Sequence, residues 1–212
     1  MRGDPRTRVR DPDGAAVALH LPGHTDFSAR RRELATACGA DVVVDAALEG
    51  PLDAVPFTGP LASVPALMSF AFDAMEKVRR VPGLPWAQVM RLANGLGAGP
   101  SGPVIFECVG VPGIIEQIVA AAPLRSRVVV AGVCMEPDTF RPAIAINKEV
   151  DLRFVFGYDP GEFAETLAML GNRTVDPSPL HTDTVGLDGV ADAFHALATP
   201  DEHAKILVDP RA

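Results

Sequence analysis

The sequence predicts an α/β fold, a parallel sheet covered on both faces by helices, on three observations. Short apolar runs recur along the chain at Asp41 to Val44, Val104 to Val109, Val128 to Ala131 and Leu152 to Phe156. Strands buried on both faces read as continuous runs of this kind rather than as alternating patterns. Several of the runs lead into glycine, at Gly110, Gly132 and Gly157. Finally, Pro103 to Cys134 reads as strand, glycine loop, helix, strand and glycine without a break, which is a βαβ crossover. In open α/β sheets ligands bind beyond the carboxyl ends of the strands, where a glycine lets a flat molecule approach the backbone.

Each element follows in order. Residues 1 to 14 are rich in arginine, aspartate and proline, with Met1 and Val9 the apolar residues, so they are not expected to build a core strand. Ala15 to Leu19 has the composition of a brief strand, interrupted at Pro22 and Gly23. Ser28 is placed to cap a helix reaching about Cys38, and Gly39 to close it. After the strand at Asp41 to Val44, residues 50 to 102 exceed what a simple crossover needs. Leu67, Phe70, Ala71, Ala74, Met75 and Val78 have helical spacing, as do Trp86, Val89, Met90, Ala93 and Leu96 after a break at Val81 to Pro85. A two-helix excursion is the expectation, returned to the sheet by the linker GLGAGPSG. Beyond the strand at Val104, Pro112 suits the first turn of a helix that carries Ile114, Ile115, Ile118, Val119 and Ala122 on one side. Ala143 to Lys148 precedes the strand at Leu152. Two amphipathic helices follow, marked by Phe163, Leu167 and Leu170 and by Val190, Phe194 and Leu197, and Lys205 to Val208 is a last strand.

A chain of 212 residues holds one good core, with room for a small lobe. Its formal net charge of -8 disfavours a nucleic-acid partner. No apolar run reaches the length of a membrane span, and no signal core follows the N-terminal arginines. A cytoplasmic protein is expected. Cys38, Cys108 and Cys134 are odd in number and widely spaced, which suits buried, reduced thiols.

The segments TDFSARRRELATACGADVVVD, PVIFECVGVPG, RVVVAGV, INKEVDLRFVFGY, VGLDGVADAFHAL and HAKILVDP, in that order and spacing, resemble the cofactor-binding half of one family. It is the zinc-containing alcohol dehydrogenases of the medium-chain dehydrogenase/reductase superfamily. The resemblance implies a Rossmann-type dinucleotide-binding domain over residues 26 to 212, with a helical insertion at about 52 to 98. Residues 1 to 25 stand as an atypical N-terminal segment, with disorder an expectation. It also implies NAD as cofactor, with Asp26 accepting from the adenosine ribose and repelling a 2'-phosphate. Arg31 matches a basic position at the same ribose; a solvated helix face within Arg30, Arg31 and Arg32 is the plain alternative. The backbone of Cys108, Val109 and Gly110 matches the adenine and ribose contact. Ala131, Gly132 and Val133, with Phe154 and Phe156, match the backbone that holds the nicotinamide amide. Lys205 matches a cationic position near the pyrophosphate. Association of copies through sheet edges is a further implication.

Two features of the family have no counterpart in the sequence. Nothing in residues 1 to 25 resembles GxGxxG, the phosphate loop expected before Asp26, so the first strand is missing with it. The zinc ligands belong to a preceding catalytic domain, and His20, His24, His181, His195 and His203 lack ligand spacing. No metal site and no catalytic residue are assigned within the chain. The reading is the cofactor-binding portion of an NAD-dependent alcohol dehydrogenase, truncated or displaced at its start and inactive alone, with NAD binding weak or lost. The alternative is a non-catalytic nucleotide-binding or assembly module. A methyltransferase would need its own glycine motif after the first strand, and the sequence has none.

Overall fold

The computed structural model describes residues 8–10, 16–18, 23–50, 52–54, 57, 60–80, 85–95, 102–199 and 201–212. The break at Val81 to Pro85 and the linker GLGAGPSG lie almost wholly outside them, as do the side chains of Val78, Trp86, Met90 and Ala93 and all of Leu96. The chain divides into two compact units, Met1–Val55 with Tyr158–Ala212, and Pro56–Gly157.

In the first unit β1 (Arg8–Arg10) and β2 (Ala16–Ala18) pair antiparallel. β3 (Gly23–Asp26), α1 (Ala29–Ala37) and β4 (Val42–Asp45) then form a parallel crossover. Ser28 caps α1, its Oγ accepting from the Arg31 N–H at 3.3 Å. Gly39 takes a left-handed φ of +99° just past the helix. Leu34 of α1 and Val44 of β4 are buried. The strand that leads to Asp26 is Gly23–Asp26, held by its parallel ladder with Val42–Asp45 although Pro22 and Gly23 read as an interruption in the sequence. The brief strand expected at Ala15 to Leu19 is Ala16–Ala18, and Arg8–Arg10 of the charged segment pairs with it apart from the parallel sheets.

The unit's later elements are α6 (Pro160–Gly171), β8 (His181–Val185), α7 (Val190–Leu197) and β9 (Lys205–Val208). Asp159 and Glu162 form a capping box at the start of α6. β8 pairs parallel with β9, with α7 in the crossover. Phe163, Leu167 and Phe194, the apolar marks of α6 and α7, remain exposed.

The second unit begins with α2 (Val64–Arg79) and α3 (Trp86–Gly95). β5 (Val104–Glu107), α4 (Ile114–Ala121), β6 (Arg127–Val130), α5 (Pro142–Lys148) and β7 (Asp151–Phe154) follow. β5, β6 and β7 lie side by side, all parallel, with β6 central. The register places Ile105, Val128 and Leu152 in one row and Glu107, Val130 and Phe154 in the next row on the same face. Val128, Val130, Val119 and Ala122 are buried there with Leu61 and Leu124. Each fully buried valine contributes about 1.5 to 3 kcal/mol relative to exposure. Lys148, at the end of α5, donates to the carbonyls of Val119, Ala120 and Ala122, so a cation closes the carboxyl end of α4.

Three further expectations are corrected. Asp41 to Val44 was expected in one sheet with the other runs, but among the described residues Val42–Asp45, in the first unit, pairs with β3 alone. Pro112 lies outside α4, which starts at Ile114 after Gly113 at a left-handed φ of +87°. The three cysteines are free, but Cys38 and Cys108 are exposed and Cys134 half-buried, because they sit at a helix end and at strand ends rather than within them.

Candidate functional site

In the first unit the expected residues converge at the carboxyl end of β3. Asp26 Oδ1 accepts from the Ser28 N–H at 2.8 Å, and Oδ2 stands 3.8 Å from Arg31 Nη1. The same turn that caps α1 therefore fixes this carboxylate at the strand end. Arg32 braces it from behind: Nη1 donates to the carbonyls of Asp26 and Phe27 at 2.9 and 2.8 Å, and Nη2 lies 2.8 Å from Asp45 Oδ2. Arg32 and Asp45 went unread in the sequence, where the arginine triplet looked like a solvated face. Lys205 opens β9 in this unit, opposite His181, and its backbone N–H and carbonyl both meet the Thr182 hydroxyl.

In the second unit two glycine turns meet at the carboxyl ends of β5 and β6. Gly110 has a left-handed φ of +69°, and a Cβ there would lie 2.6 Å from the Val133 nitrogen. A Cβ on Gly132 would lie 2.4 Å from the Gly110 nitrogen. Neither position accepts a side chain without backbone movement. The residue that locks the turns is Glu107, only 3% exposed. Its Oε1 accepts from the Val109 and Gly110 N–H groups at 2.6 and 2.8 Å, while its carbonyl accepts from those of Ala131 and Gly132 at 2.8 and 2.9 Å. Glu107 was not among the expected site residues. Its signal in the sequence was a lone carboxylate closing an apolar strand, a position that burial makes costly unless hydrogen bonds satisfy it.

Below the turns lies a cleft of about 200 Å³. Gly110, Gly132, Val133 and Phe154 of the expected set line it, together with Val111, Ile115 and Val130. Its charged lining is acidic, from Glu107 and Asp138. Asp138 Oδ1 accepts from the Gly113 N–H at 2.8 Å and so ties the loop after β6 to the start of α4. Glu116 of α4 does the same with Arg141, whose backbone and guanidinium hydrogen bonds pull its carboxyl below the usual range. Cys108, Val109, Ala131 and Phe156 are not in the cleft wall, and Phe156 is 98% exposed. Partial desolvation against the strand end, then the charge of Glu107, pushes the Cys108 thiol up. A larger groove, about 490 Å³, runs along α2 beside Phe72, Met75 and Arg79. Among the described residues no group of three His, Cys, Asp or Glu side chains is arranged to hold a metal ion. Nor is any helix among them long and apolar enough to cross a membrane.

No family model matches the chain. Over 125 residues, 58% of this chain and 34% of the relative, it is 29% identical to (R,R)-butanediol dehydrogenase of Neisseria gonorrhoeae (strain ATCC 700825 / FA 1090). Its fold is similar to that of L-idonate 5-dehydrogenase from Escherichia coli K-12 MG1655, with a TM-score of 0.59 at 19% identity over 88% of this chain and 42% of that one. It is similar too to 2R,3R-butanediol dehydrogenase from Bacillus subtilis, with a TM-score of 0.58 at 20% identity over 89% and 43%. Two further solved neighbours, an alcohol dehydrogenase of E. coli CFT073 and a zinc-binding dehydrogenase of Sinorhizobium meliloti 1021, carry NADH and NADP respectively. The chain thus spans about a third of the length of its curated relative and less than half of these structures.

Proposed function

As a relative, over part of their length, of the zinc-type alcohol dehydrogenases of the medium-chain dehydrogenase/reductase superfamily, this chain is, we propose, the cofactor-binding portion of an NAD-dependent dehydrogenase. The reaction is hydride transfer between an alcohol and NAD. The observation that carries the reading is the joining of Gly110 and Gly132 over the cleft at the carboxyl ends of β5 and β6. The Asp26–Arg31 pair at the end of β3 supports it.

The residues fit the nucleoside parts of NAD. Bare glycine backbone and an apolar wall suit flat rings, and the Asp26 carboxylate suits ribose hydroxyls. A 2'-phosphate beside Asp26 would meet like charge, worth about 1 to 4 kcal/mol at contact distance, so NAD is the cofactor rather than NADP. When bound, its nicotinamide supplies the hydride acceptor. Arg31 holds the Asp26 carboxylate in place for the ribose, Cys108, Val109, Ala131 and Phe156 offer backbone and ring surface at the strand ends, and Lys205 supplies a cation for the pyrophosphate. Among the described residues no set of side chains fits a zinc ion. The three free cysteines suit a reducing, cytoplasmic setting, and sheet edges are the surfaces through which copies associate.

The chain alone is catalytically incompetent in this account. Purified protein supplied with alcohols, NAD and zinc is expected to form no NADH, and titration calorimetry to give a millimolar dissociation constant for NAD, tighter than for NADP. Alcohol-dependent turnover by the 212-residue chain would overturn the first expectation, and micromolar affinity the second. A non-catalytic assembly module is the second reading, favoured by the lack of a GxGxxG loop in the sequence. A folded chain with no affinity for either nucleotide would support it.

A further inference from the structure

Glu107 does more than its hydrogen bonds to the turns require. Its Oε1 is fully engaged by the Val109 and Gly110 N–H groups. No donor among the described residues reaches Oε2, although the residue is nearly all buried and lines the cleft. The buried side-chain atoms without a partner among the described residues are Thr25 Oγ1 and His203 Nδ1, so Oε2 is not closed off but opens into the cleft, where a ligand's donor group can meet it. The surroundings define that ligand. Asp138 is the other charged side chain of the wall and no cation lines it, so a phosphate is disfavoured. Val111, Ile115, Val130 and Phe154 suit the face of a ring. A volume of about 200 Å³ holds one ring system rather than a whole dinucleotide.

We infer that Glu107 determines specificity in this cleft: Oε2 accepts a hydrogen bond from a hydroxyl or amine of a phosphate-free nucleoside part of the cofactor. The inference rests on the proposed nucleotide function and adds a recognition residue to it. The Val109 and Gly110 N–H groups point at one oxygen and so fix the orientation of any amide placed there. Glu107→Gln therefore keeps the brace through its remaining oxygen and turns an NH2 toward the ligand's donor. Glu107→Ala removes both.

Ligand-detected NMR of NAD binding by the full chain, run beside amide exchange at Val109 and Gly110, separates these roles. The expected result is saturable binding by the wild type and a loss of about tenfold or more in Glu107→Gln, with exchange at the two amides unchanged. Equal affinity in the wild type and Glu107→Gln would overturn the inference and leave the nucleotide site standing, with Glu107 as a brace only. Lack of saturable binding by the wild type would overturn the nucleotide reading and the inference with it.

Discussion

Asp26 shows how a single residue carries information that its neighbours complete. Its type and its place before an N-capped helix were legible, because the capping chemistry of Ser28 is local. The brace from Arg32 to Asp45 was not, since it joins two strand ends that only the parallel crossover brings together. Replacing Asp26 with Asn removes the charge that a 2'-phosphate would meet. The ratio of NADP to NAD affinity, measured by calorimetry, is expected to rise about tenfold in Asp26→Asn; an unchanged ratio would detach this carboxylate from the ribose. Glu116 offers a pH signature. Its folded pKa is lowered by the Arg141 hydrogen bonds, so the stability it contributes is present above the ordinary glutamate range and is lost as pH falls through the lowered value. Thermal unfolding of Glu116→Gln is accordingly expected to fall less than that of the wild type on acidification from neutral pH to below about pH 4. Parallel acid curves would contradict the pairing. Cys108 gives a third test: desolvation first and the Glu107 charge second hold its thiol up, so removing that charge should speed its alkylation at mildly alkaline pH. Equal rates in Glu107→Gln and wild type would rule that charge out as a cause.

The elements that were read correctly are those whose signals are local. Apolar runs marked β4 to β7, and helical spacing marked α2, α4, α6 and α7. β8 was missed because His181–Val185 is mostly polar and is held by its parallel register with β9, not by an apolar run. The start of α4 was misplaced because proline at a first turn is a general preference, and here Gly113 takes the left-handed turn that aims the helix. Two substitutions probe the elements around the cleft. Gly110→Ala forces a side chain into a left-handed φ and against the Val133 backbone, and is expected to cost about 1 to 3 kcal/mol in denaturant unfolding. Lys148→Met strips three carbonyls of their donor and is expected to cost a similar amount, about 1 to 3 kcal/mol. A loss within the error of the measurement in either would show that the turn or the helix end relaxes freely.

At the scale of the whole molecule the class of fold was legible and its connectivity was not. Among the described residues the parallel strands fall into a pair at β3–β4, a triplet at β5–β6–β7 and a pair at β8–β9, and which strands pair is decided by contacts far apart in sequence that no local pattern records. β3, β4, β5 and β7 are all edge strands of their sheets among the described residues. Open edges present unpaired N–H and carbonyl groups that template association. Sedimentation at increasing concentration is therefore expected to show growth beyond the monomer, and a strictly monomeric chain would contradict this account of the edges. On the proposed function, the lack of a GxGxxG loop in the sequence would forgo about three charge-assisted hydrogen bonds of 1.5 to 3 kcal/mol each to the pyrophosphate, at least a thousandfold in affinity, and leave the nucleoside contacts to bind weakly. The most direct measurement is therefore a titration of the 15N-labelled chain with NAD, following backbone amide shifts. The account predicts saturating shifts in the millimolar range at Gly110 and Gly132 and at Phe27 and Ser28 beside Asp26. Shifts absent from both groups, or confined to surfaces such as α2, would contradict it.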